Sequence, residues 1–314
     1  MQIVEYDVAD PLEVLHLNLL SLGFALTPER AALIRRLDKR PFPFFALYAI
    51  EDGTVAGQVG VFRLPVATTE GPAAVGGVWA VCTHPAYNHR GIATRLLDEA
   101  HSLMRVAGLR FSTLGTSRHR VAHALYRRHG YEDVGASASG LARRDTALCE
   151  THLRAERAGP ERLPLADDLF QRLAAGRLGF ARRHTPFLPA LVEIGDVGVN
   201  EVWLLWEGGD LAGYVLAKVS ESVLTVSDLL LREGLEAAAA VAALARQADA
   251  PYVQVSVDRP SEAVSLRRAG YRIADPTWGT FMIKPLTPEV TVDEARGLFG
   301  IGTERFLMSW MDVT

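Results

Sequence analysis

The chain has 314 residues, of which 49% are hydrophobic and 22% charged, and its net charge at pH 7 is -4. This composition is typical of a globular protein and too apolar for a disordered one. The small negative charge gives no general electrostatic reason to bind nucleic acid or an anionic membrane. At about 150 residues per domain, the length predicts two domains.

The N-terminus has no basic region followed by an apolar core, and no stretch of about 18 uncharged apolar residues occurs. We therefore expect a cytoplasmic protein without a membrane span. Cys82 and Cys149 do not form a disulfide framework, and neither they nor the nine histidines have the spacing of a metal site. We expect no bound metal and a small molecule as partner; oligomeric state cannot be read from the sequence.

The first half alternates between helical and strand patterns. Leucines at helical spacing predict a helix over residues 11–23, and Thr27 before Pro28 predicts the start of a second helix, which Pro41 would stop. Apolar runs on both sides of Glu51-Asp52-Gly53 predict a β-hairpin. The remaining patterns predict, in order, a strand over 75–83, a helix from 91 to 108, a strand over 111–114 and a helix over 121–129.

Residues 138–164 are rich in alanine, arginine and glutamate, which we interpret as a domain boundary. A similar order of elements follows it: a helix near 165–178, strands over 202–206, 214–219 and 222–231, a helix over 235–248 and a strand over 252–257.

Two short matches suggest that the halves are an internal repeat. Residues 51–57, EDGTVAG, resemble residues 207–213, EGGDLAG, and residues 125–131, LYRRHGY, resemble residues 265–271, SLRRAGY. The second half lacks a counterpart of residues 84–93, and a chance resemblance between two α+β domains is the alternative.

The segment missing from the second half predicts a phosphate site in the first. Residues 88–94, NHRGIAT, lie where a strand leads into a helix, and the free N–H groups of such a junction, with the helix dipole, bind anions. Gly91 and the small Ala93 would allow a close approach of phosphate oxygens, and Arg90 would add an ion pair. Close packing of helix on strand is the alternative for Gly91 and Ala93.

In this context the segment VCTHPAYNHRGIATRLL resembles the acyl-CoA-binding signature of the GNAT superfamily of N-acetyltransferases. In that family an Arg/Gln-x-x-Gly-x-Gly/Ala pattern opens the helix. Gly91 and Ala93 match, whereas Asn88 replaces the usual Arg or Gln. Downstream, AHALYRRHGYEDV resembles the second family signature, with Tyr126 at the position of the conserved tyrosine and His119 where an asparagine is common.

The resemblance implies an α+β fold of two tandem domains, residues 1–148 and 149–314, each a mostly antiparallel twisted sheet flanked by helices. The first would be catalytic and the second, which has Leu266 in place of Tyr126, would shape the acceptor pocket. It also implies an enzyme that transfers an acetyl group from acetyl-CoA to the primary amine of a small molecule. The residues expected to bind the cofactor are Val81, Cys82, Thr83, Asn88, His89, Arg90, Gly91, Ile92, Ala93, Thr94 and His119.

The resemblance assigns Tyr126 as the acid that protonates the departing thiolate, the alternative being an aromatic packing residue. We interpret Cys82 as a small buried hydrophobe, the alternative being a nucleophile in an acyl-enzyme route. The base that deprotonates the amine stays unassigned. His84, His119 and His123 have suitable chemistry, and the terminal carboxylate of the apolar tail, residues 306–314, is another candidate.

Two other functions fit the same sequence. A non-catalytic acyl-CoA sensor would explain the substituted motif positions, and a protein N-acetyltransferase would need an open peptide groove. The retained Tyr126 favours an enzyme over the sensor, whereas the unassigned base favours the sensor.

Overall fold

A computed structural model describes residues 1–146, 149–274, 279–309 and 311–312. The elements up to residue 135 are β1 Gln2–Glu5, α1 Pro11–Leu22, α2 Pro28–Leu37, β2 Pro41–Glu51, β3 Thr54–Thr68, β4 Gly71–Thr83, α3 Ile92–Val106, β5 Phe111–Ser117, α4 Val121–Arg128 and β6 Glu132–Gly135.

The elements that follow are β7 Ala138–Arg143, β8 Leu153–Arg157, α5 Leu163–Ala174, β9 Leu178–Gly179, α6 Leu188–Ile194, β10 Val202–Glu207, β11 Asp210–Ser220, β12 Val223–Leu231, α7 Ala237–Ala248, β13 Tyr252–Val257, α8 Pro260–Arg268, β14 Arg272–Ala274, β15 Gly279–Pro285, α9 Val292–Phe299 and β16 Phe306–Leu307. The predicted α+β class is confirmed.

Local sequence signals placed several elements well. Asp10 and Thr27 accept hydrogen bonds from the first turns of α1 and α2, and each helix has proline at its start. Asp52 and Gly53, with φ of 52° and 82°, form the turn between β2 and β3. Although α1 was recognised by its leucines, Leu12 is 68% exposed, because the side that packs against β3 and β4 carries Val14 and Leu17 instead.

The two sheets have the same internal order. The first runs β1-β2-β3-β4-β5-β15-β6, with the short β9 and β16 paired beside β3, and the second runs β8-β10-β11-β12-β13-β7-β14. Along each main path every neighbouring pair is antiparallel except one, β4 with β5 and β12 with β13. Both sequence matches fall at equivalent places, the turn after β2 or β10 and the end of α4 or α8, which agrees with a duplication.

Along its main path, each sheet contains one strand from the other half of the chain. β15 lies between β5 and β6 in the first sheet, and β7 lies between β13 and β14 in the second. Residues 138–164, interpreted as a boundary, thus contain β7 and β8. The sheets do not divide the chain at residues 148 and 149, and a domain boundary there stays a prediction; residues 147 and 148 lie outside the described part.

The C-terminal segment is fixed between the halves by buried charges. Arg183 is 1% exposed and bonds to Asp312, with Nη2 2.7 Å from Oδ2, and to Asp228 at 3.4 Å. The Arg40 guanidinium, paired with Asp38 at 2.7 Å, donates to the carbonyl of Met311. The apolar tail is thus packed at its described residues, 306–309 and 311–312, whereas Thr314, whose carboxylate is a candidate base, lies outside the described part.

We predict that Arg183→Met lowers the free energy of unfolding by about 3–5 kcal/mol, because Asp228 and Asp312 would stay buried without a countercharge. Urea denaturation measures the loss. Arg36→Met is the control: Arg36 pairs with Glu193, but its side chain is 67% exposed, so its removal should leave stability nearly unchanged. A loss below about 1 kcal/mol for Arg183→Met would contradict the anchoring role.

Candidate active site

A β-bulge interrupts β4 in the middle of the first sheet. Gln58 on β3 is opposite Cys82, but Gly60, two residues further, is opposite Trp79, so β4 contains one extra residue. The extra residue is accommodated at Ala80, whose backbone is left-handed, with a φ of 49°. A bulge bends its strand and turns backbone groups out of the ladder. The segment after it, Val81 to Thr83, contains three of the residues that are expected to bind the cofactor.

Two buried amide side chains hold the bulge in place. Gln58 donates from Nε2 to the carbonyl oxygen of Ala80 at 3.2 Å, and its Oε1 accepts from Asn18 Nδ2 at 2.8 Å. Asn18 and Gln58 are fully buried, and Asn18 also donates to the carbonyl of Val14 within α1. Because buried polar groups need their partners, this network fixes α1, β3 and the bulge relative to one another. The sequence analysis missed both residues.

β4 and β5 diverge beyond the bulge. Their parallel pairing is confined to Gly76 with Ser112 and Gly77 with Thr113, and β5 continues on its other side along β15. The edge of β4 that faces β5 therefore has no ladder partner over residues 81–83 in the described structure. An open strand edge between two diverging strands can accept an extended ligand by backbone hydrogen bonds.

The junction from β4 to α3 has the form expected for an anion site. A short 3₁₀ turn, Pro85–Tyr87, is followed by two left-handed residues, His89 at φ 63° and Gly91 at φ 75°. Gly91 is the N-cap of α3, and no side chain caps the helix, so the first-turn amides are not bonded by a capping group. A Cβ at Gly91 would meet nothing within 4 Å, which shows open space in front of the turn.

The predicted cofactor residues at this junction differ in exposure. Ile92 is 2% exposed and packs in the core beneath the turn, whereas Asn88, His89, Gly91 and Thr94 are exposed and Ala93 is half-buried. The Arg90 guanidinium lies 3.2 Å from Glu51 and stacks over the Tyr87 ring at 4.9 Å. Arg90 therefore has a protein partner already, and the backbone of the turn carries the anion-binding potential.

Tyr126 and Cys82 lie near each other beneath this region. Burial, with a smaller contribution from Cys82, raises the pKa of Tyr126 to about 12, and burial raises the pKa of the Cys82 thiol to about 12. The Tyr126 ring packs against Tyr131 with centroids 5.9 Å apart, and its hydroxyl has no hydrogen-bond partner in the described structure. Both groups are protonated at neutral pH, which suits Tyr126 as an acid and makes Cys82 a poor nucleophile.

Two of the three candidate histidines already use a ring nitrogen in a contact within the protein, which makes them less available as a base. His84 Nδ1 accepts a hydrogen bond from the amide of Ala86 at 3.1 Å, so its neutral ring carries the proton on the other nitrogen. His123 Nε2 lies 3.1 Å from both carboxylate oxygens of Asp133. Burial alone would raise the pKa of Asp133, but hydrogen bonds from Thr280 and His123 lower it below its usual value. His119 is exposed, and its amide bonds to Ser117.

Three residues of metal-ligating types lie close together in the first half, although their spacing in the sequence does not indicate a metal site; the expectation of no bound metal stays a prediction. Asp98, His101 and His129 bring their ligand atoms within 4.8 Å of one another. These groups have protein partners: His101 bonds to the Tyr131 hydroxyl at 2.8 Å, and His129 lies 3.3 Å from Asp98. Burial, with nearby Lys284, lowers the pKa of His101 to about 3.

A cleft of about 470 Å³ opens between the halves, next to β4. Its aromatic wall consists of Phe24, Phe62 and Trp79; the indole stacks on Phe62 at 5.0 Å, and its buried Nε1 has no partner in the described structure. The charged groups that line the cleft are three carboxylates and one guanidinium, namely Asp38, Asp196, Glu201 and Arg40. The sequence could not predict this cleft, because its walls come from both halves.

Comparison with known proteins finds a similarity over part of the first half of the chain. Residues 14–134 match the model of an acetyltransferase (GNAT) domain. No curated protein matches the chain in sequence. Within the described residues, no helix is both long and apolar enough to cross a membrane.

Solved structures with the same fold cover most of the chain. A protein of unknown function from Enterococcus faecalis, titled a probable N-acyltransferase, superposes with a TM-score of 0.70 at 13% identity, over 91% of this chain and 72% of the other. A GCN5-related N-acetyltransferase from Anabaena variabilis gives 0.68 at 15% identity, over 91% and 73%. Eis1 from Mycobacterium abscessus gives 0.61 at 16% identity, over 91% and 74%. At such identities the likeness shows the fold alone.

We predict that Gly91→Ala weakens the binding of acetyl-CoA about tenfold, because a methyl group would project into the open space where phosphate oxygens approach the α3 amides. Isothermal titration calorimetry measures the change. Gly208→Ala is a matched control: Gly208 also has a positive φ, 61°, and open space at its Cβ, but it lies in the turn between β10 and β11. Equal loss of affinity in both variants would contradict a phosphate site at Gly91.

Proposed function

We propose that the chain transfers an acetyl group from acetyl-CoA to the primary amine of a small molecule, because residues 14–134 match the model of a GNAT acetyltransferase domain. The observation that carries the proposal is the position of β4. One edge of this strand is open towards β5, and Trp79, just before the bulge, lines the cleft between the halves. A donor on the edge and an acceptor in the cleft would meet at the bulge.

The donor would lie along the open edge of β4. The pantetheine arm would hydrogen-bond to the backbone of Val81 to Thr83, and the diphosphate would bind the uncapped amides of α3 at Ile92 and Ala93, with Gly91 allowing close approach. Asn88, His89, Thr94 and His119 would contact the exposed part of the cofactor. Arg90 would contribute only by exchanging its ion pair with Glu51 for one with a phosphate.

The acceptor would bind in the cleft as a cation. Three carboxylates against one guanidinium give the lining a net negative charge, and Trp79, Phe24 and Phe62 offer aromatic faces. Such a lining attracts an ammonium group through its charge and through cation–π contacts. Asp38 and Asp196 are paired with Arg40 and Arg30, whereas Glu201 has no ion-pair partner in the described structure, so it is the carboxylate most available to an amine.

In the reaction the neutral amine would attack the thioester carbonyl, and backbone N–H groups near Val81 would stabilise the oxyanion. Collapse of the tetrahedral intermediate forms the amide bond and breaks the C–S bond, and the thiolate takes the Tyr126 phenol proton. With a Tyr126 pKa of about 12 and a thiol pKa of about 8.5, this transfer is uphill, so the positioning of the two groups must contribute. Water in the cleft would carry the ammonium proton away, and the second proton that the nitrogen loses as the amide forms would return to the Tyr126 phenolate.

Release of free thiol from acetyl-CoA in the presence of a panel of small amines and of peptides tests the proposal. Thiol release with cationic small amines is the expected result. Binding of acetyl-CoA without thiol release for any acceptor would overturn the proposal in favour of a sensor, and release with peptides alone would indicate a protein acetyltransferase.

We predict that Tyr126→Phe lowers kcat about 100-fold while the affinity for acetyl-CoA changes little, because only the proton donor is removed. Its hydroxyl has no hydrogen-bond partner in the described structure, so stability should be retained. Steady-state kinetics and calorimetry separate the two effects. Tyr252→Phe, at a tyrosine that is 45% exposed on β13, is the control. An unchanged kcat would remove Tyr126 from the role of acid.

We predict that Glu201→Gln raises KM for a cationic amine about tenfold with little effect on KM for acetyl-CoA, because a charge-assisted contact to the ammonium is lost. Glu221→Gln, at an exposed residue in the turn after β11, should change neither constant. A rise in KM for acetyl-CoA alone would place Glu201 at the donor site and contradict the assignment.

A further inference from the structure

The second half has a cleft at the position that corresponds to the proposed acyl-CoA site. In the second sheet β12 leads into α7 as β4 leads into α3, and a cleft of about 900 Å³ opens beside this junction. The end of α5, the start of α8 and the loop before β16 complete its walls. Its volume is within the range of small-molecule sites, about 300–1,000 Å³.

Arginine dominates the charge of this cleft. The lining holds six guanidinium groups against four glutamates, a surplus of two positive charges. The six are Arg172, Arg177, Arg232, Arg259, Arg268 and Arg305. Guanidinium groups bind phosphate by paired, charge-assisted hydrogen bonds, so this lining selects an anion.

Three of these arginines are free to bind a ligand. Arg172, Arg177 and Arg305 have no carboxylate within 4.0 Å in the described part of the chain, and the hydrogen bonds of Arg177 and Arg305 go to backbone carbonyls. Arg268, by contrast, pairs with Glu236 at 3.2 Å. Of the glutamates, Glu304 is occupied by the amide and hydroxyl of Ser261.

Arg259 provides independent evidence for a ligand. Its side chain is only 9% exposed; Nη2 donates to the carbonyl of Leu229 at 3.2 Å and to Glu262. Nη1 is buried and has no partner in the described structure, although Arg259 lines the cleft. A buried donor without an acceptor is destabilising, and an acceptor on a bound ligand would satisfy it.

The surrounding groups also favour an anion. Burial and the positive charge of Arg259 lower the pKa of Arg177. The nearby Glu262 and Glu304 raise this pKa by less, so they do not fully offset the repulsion between the two guanidinium groups. At the start of α7, by contrast, the amide of Ala238 already donates to the Ser265 hydroxyl at 3.2 Å, and that hydroxyl donates to Glu236. The affinity of the cleft for an anion therefore comes from the arginine side chains and not from this helix end.

We propose that this cleft binds the phosphate or diphosphate group of a nucleotide-sized small molecule, separately from the acyl-CoA site of the first half. The two junctions would hold phosphate in different ways. The turn before α3 offers backbone amides, whereas the turn before α7 is shorter and arginine side chains from α5, α8 and the loop before β16 take their place.

Calorimetric titration of the full chain with inorganic pyrophosphate, ADP and CoA tests the proposal. We expect pyrophosphate or ADP to bind and the double substitution Arg172→Gln/Arg305→Gln to weaken that binding at least tenfold, because two charge-assisted contacts are removed. Both arginines are exposed, so the fold should tolerate the change, which a thermal melt verifies. Arg143→Gln, at the opposite end of β13, is the matched control and should shift Kd less than about twofold.

The stoichiometry identifies the source of the phosphate. Two equivalents of CoA bound to the wild-type chain and one to the double variant would mean that CoA itself occupies the cleft. One equivalent of CoA in both, with arginine-dependent binding of ADP or pyrophosphate, would mean a different phosphorylated ligand. Absence of arginine-dependent binding for all three probes overturns the proposal, and acetyl transfer, measured separately, would be unaffected by that outcome.

Discussion

The hydrogen-bonded pair of Asn18 and Gln58 is the constraint on which the proposed active site depends. The two amides are buried beneath the first sheet, and Gln58 donates to the carbonyl of Ala80 at the bulge. Without Gln58 that partly buried carbonyl would lose its donor, and the left-handed backbone of Ala80 would lose the hydrogen bond that stabilises it. The bulge in turn separates the open edge of β4 from the side that carries Trp79, so one polar contact determines the geometry of both proposed binding surfaces.

Signals that act over a few residues could be predicted from the sequence. Thr27 with Pro28 marks a helix start, Asp52 with Gly53 marks a hairpin, and Gly91 marks the junction before α3, because backbone conformation at these positions follows from the residue itself. The two sequence matches also located equivalent turns in both sheets, although they could not show how the strands pair.

Features that depend on distant pairing could not be predicted. Asn18 and Gln58 are 40 residues apart, and neither type of residue indicates by itself that it is buried. β7 lies in a polar, alanine-rich segment that was interpreted as a domain boundary. A strand inserted between two others is held by backbone hydrogen bonds, so its sequence need not show a strand pattern. The acceptor cleft and the arginine cleft are each built from segments that the sequence gives no reason to bring together.

The reciprocal exchange of β7 and β15 has a consequence for biosynthesis. While the ribosome has released only the first 148 residues, β5 and β6 have no strand between them, and β15 emerges only after residue 285. A chain that normally folds from its N-terminus onwards must here keep an unfinished, apolar sheet in solution until nearly all of it has been made. Nascent chains stalled before β15 should therefore bind chaperones. The two halves of the chain reach their native structures only when β15 has been made.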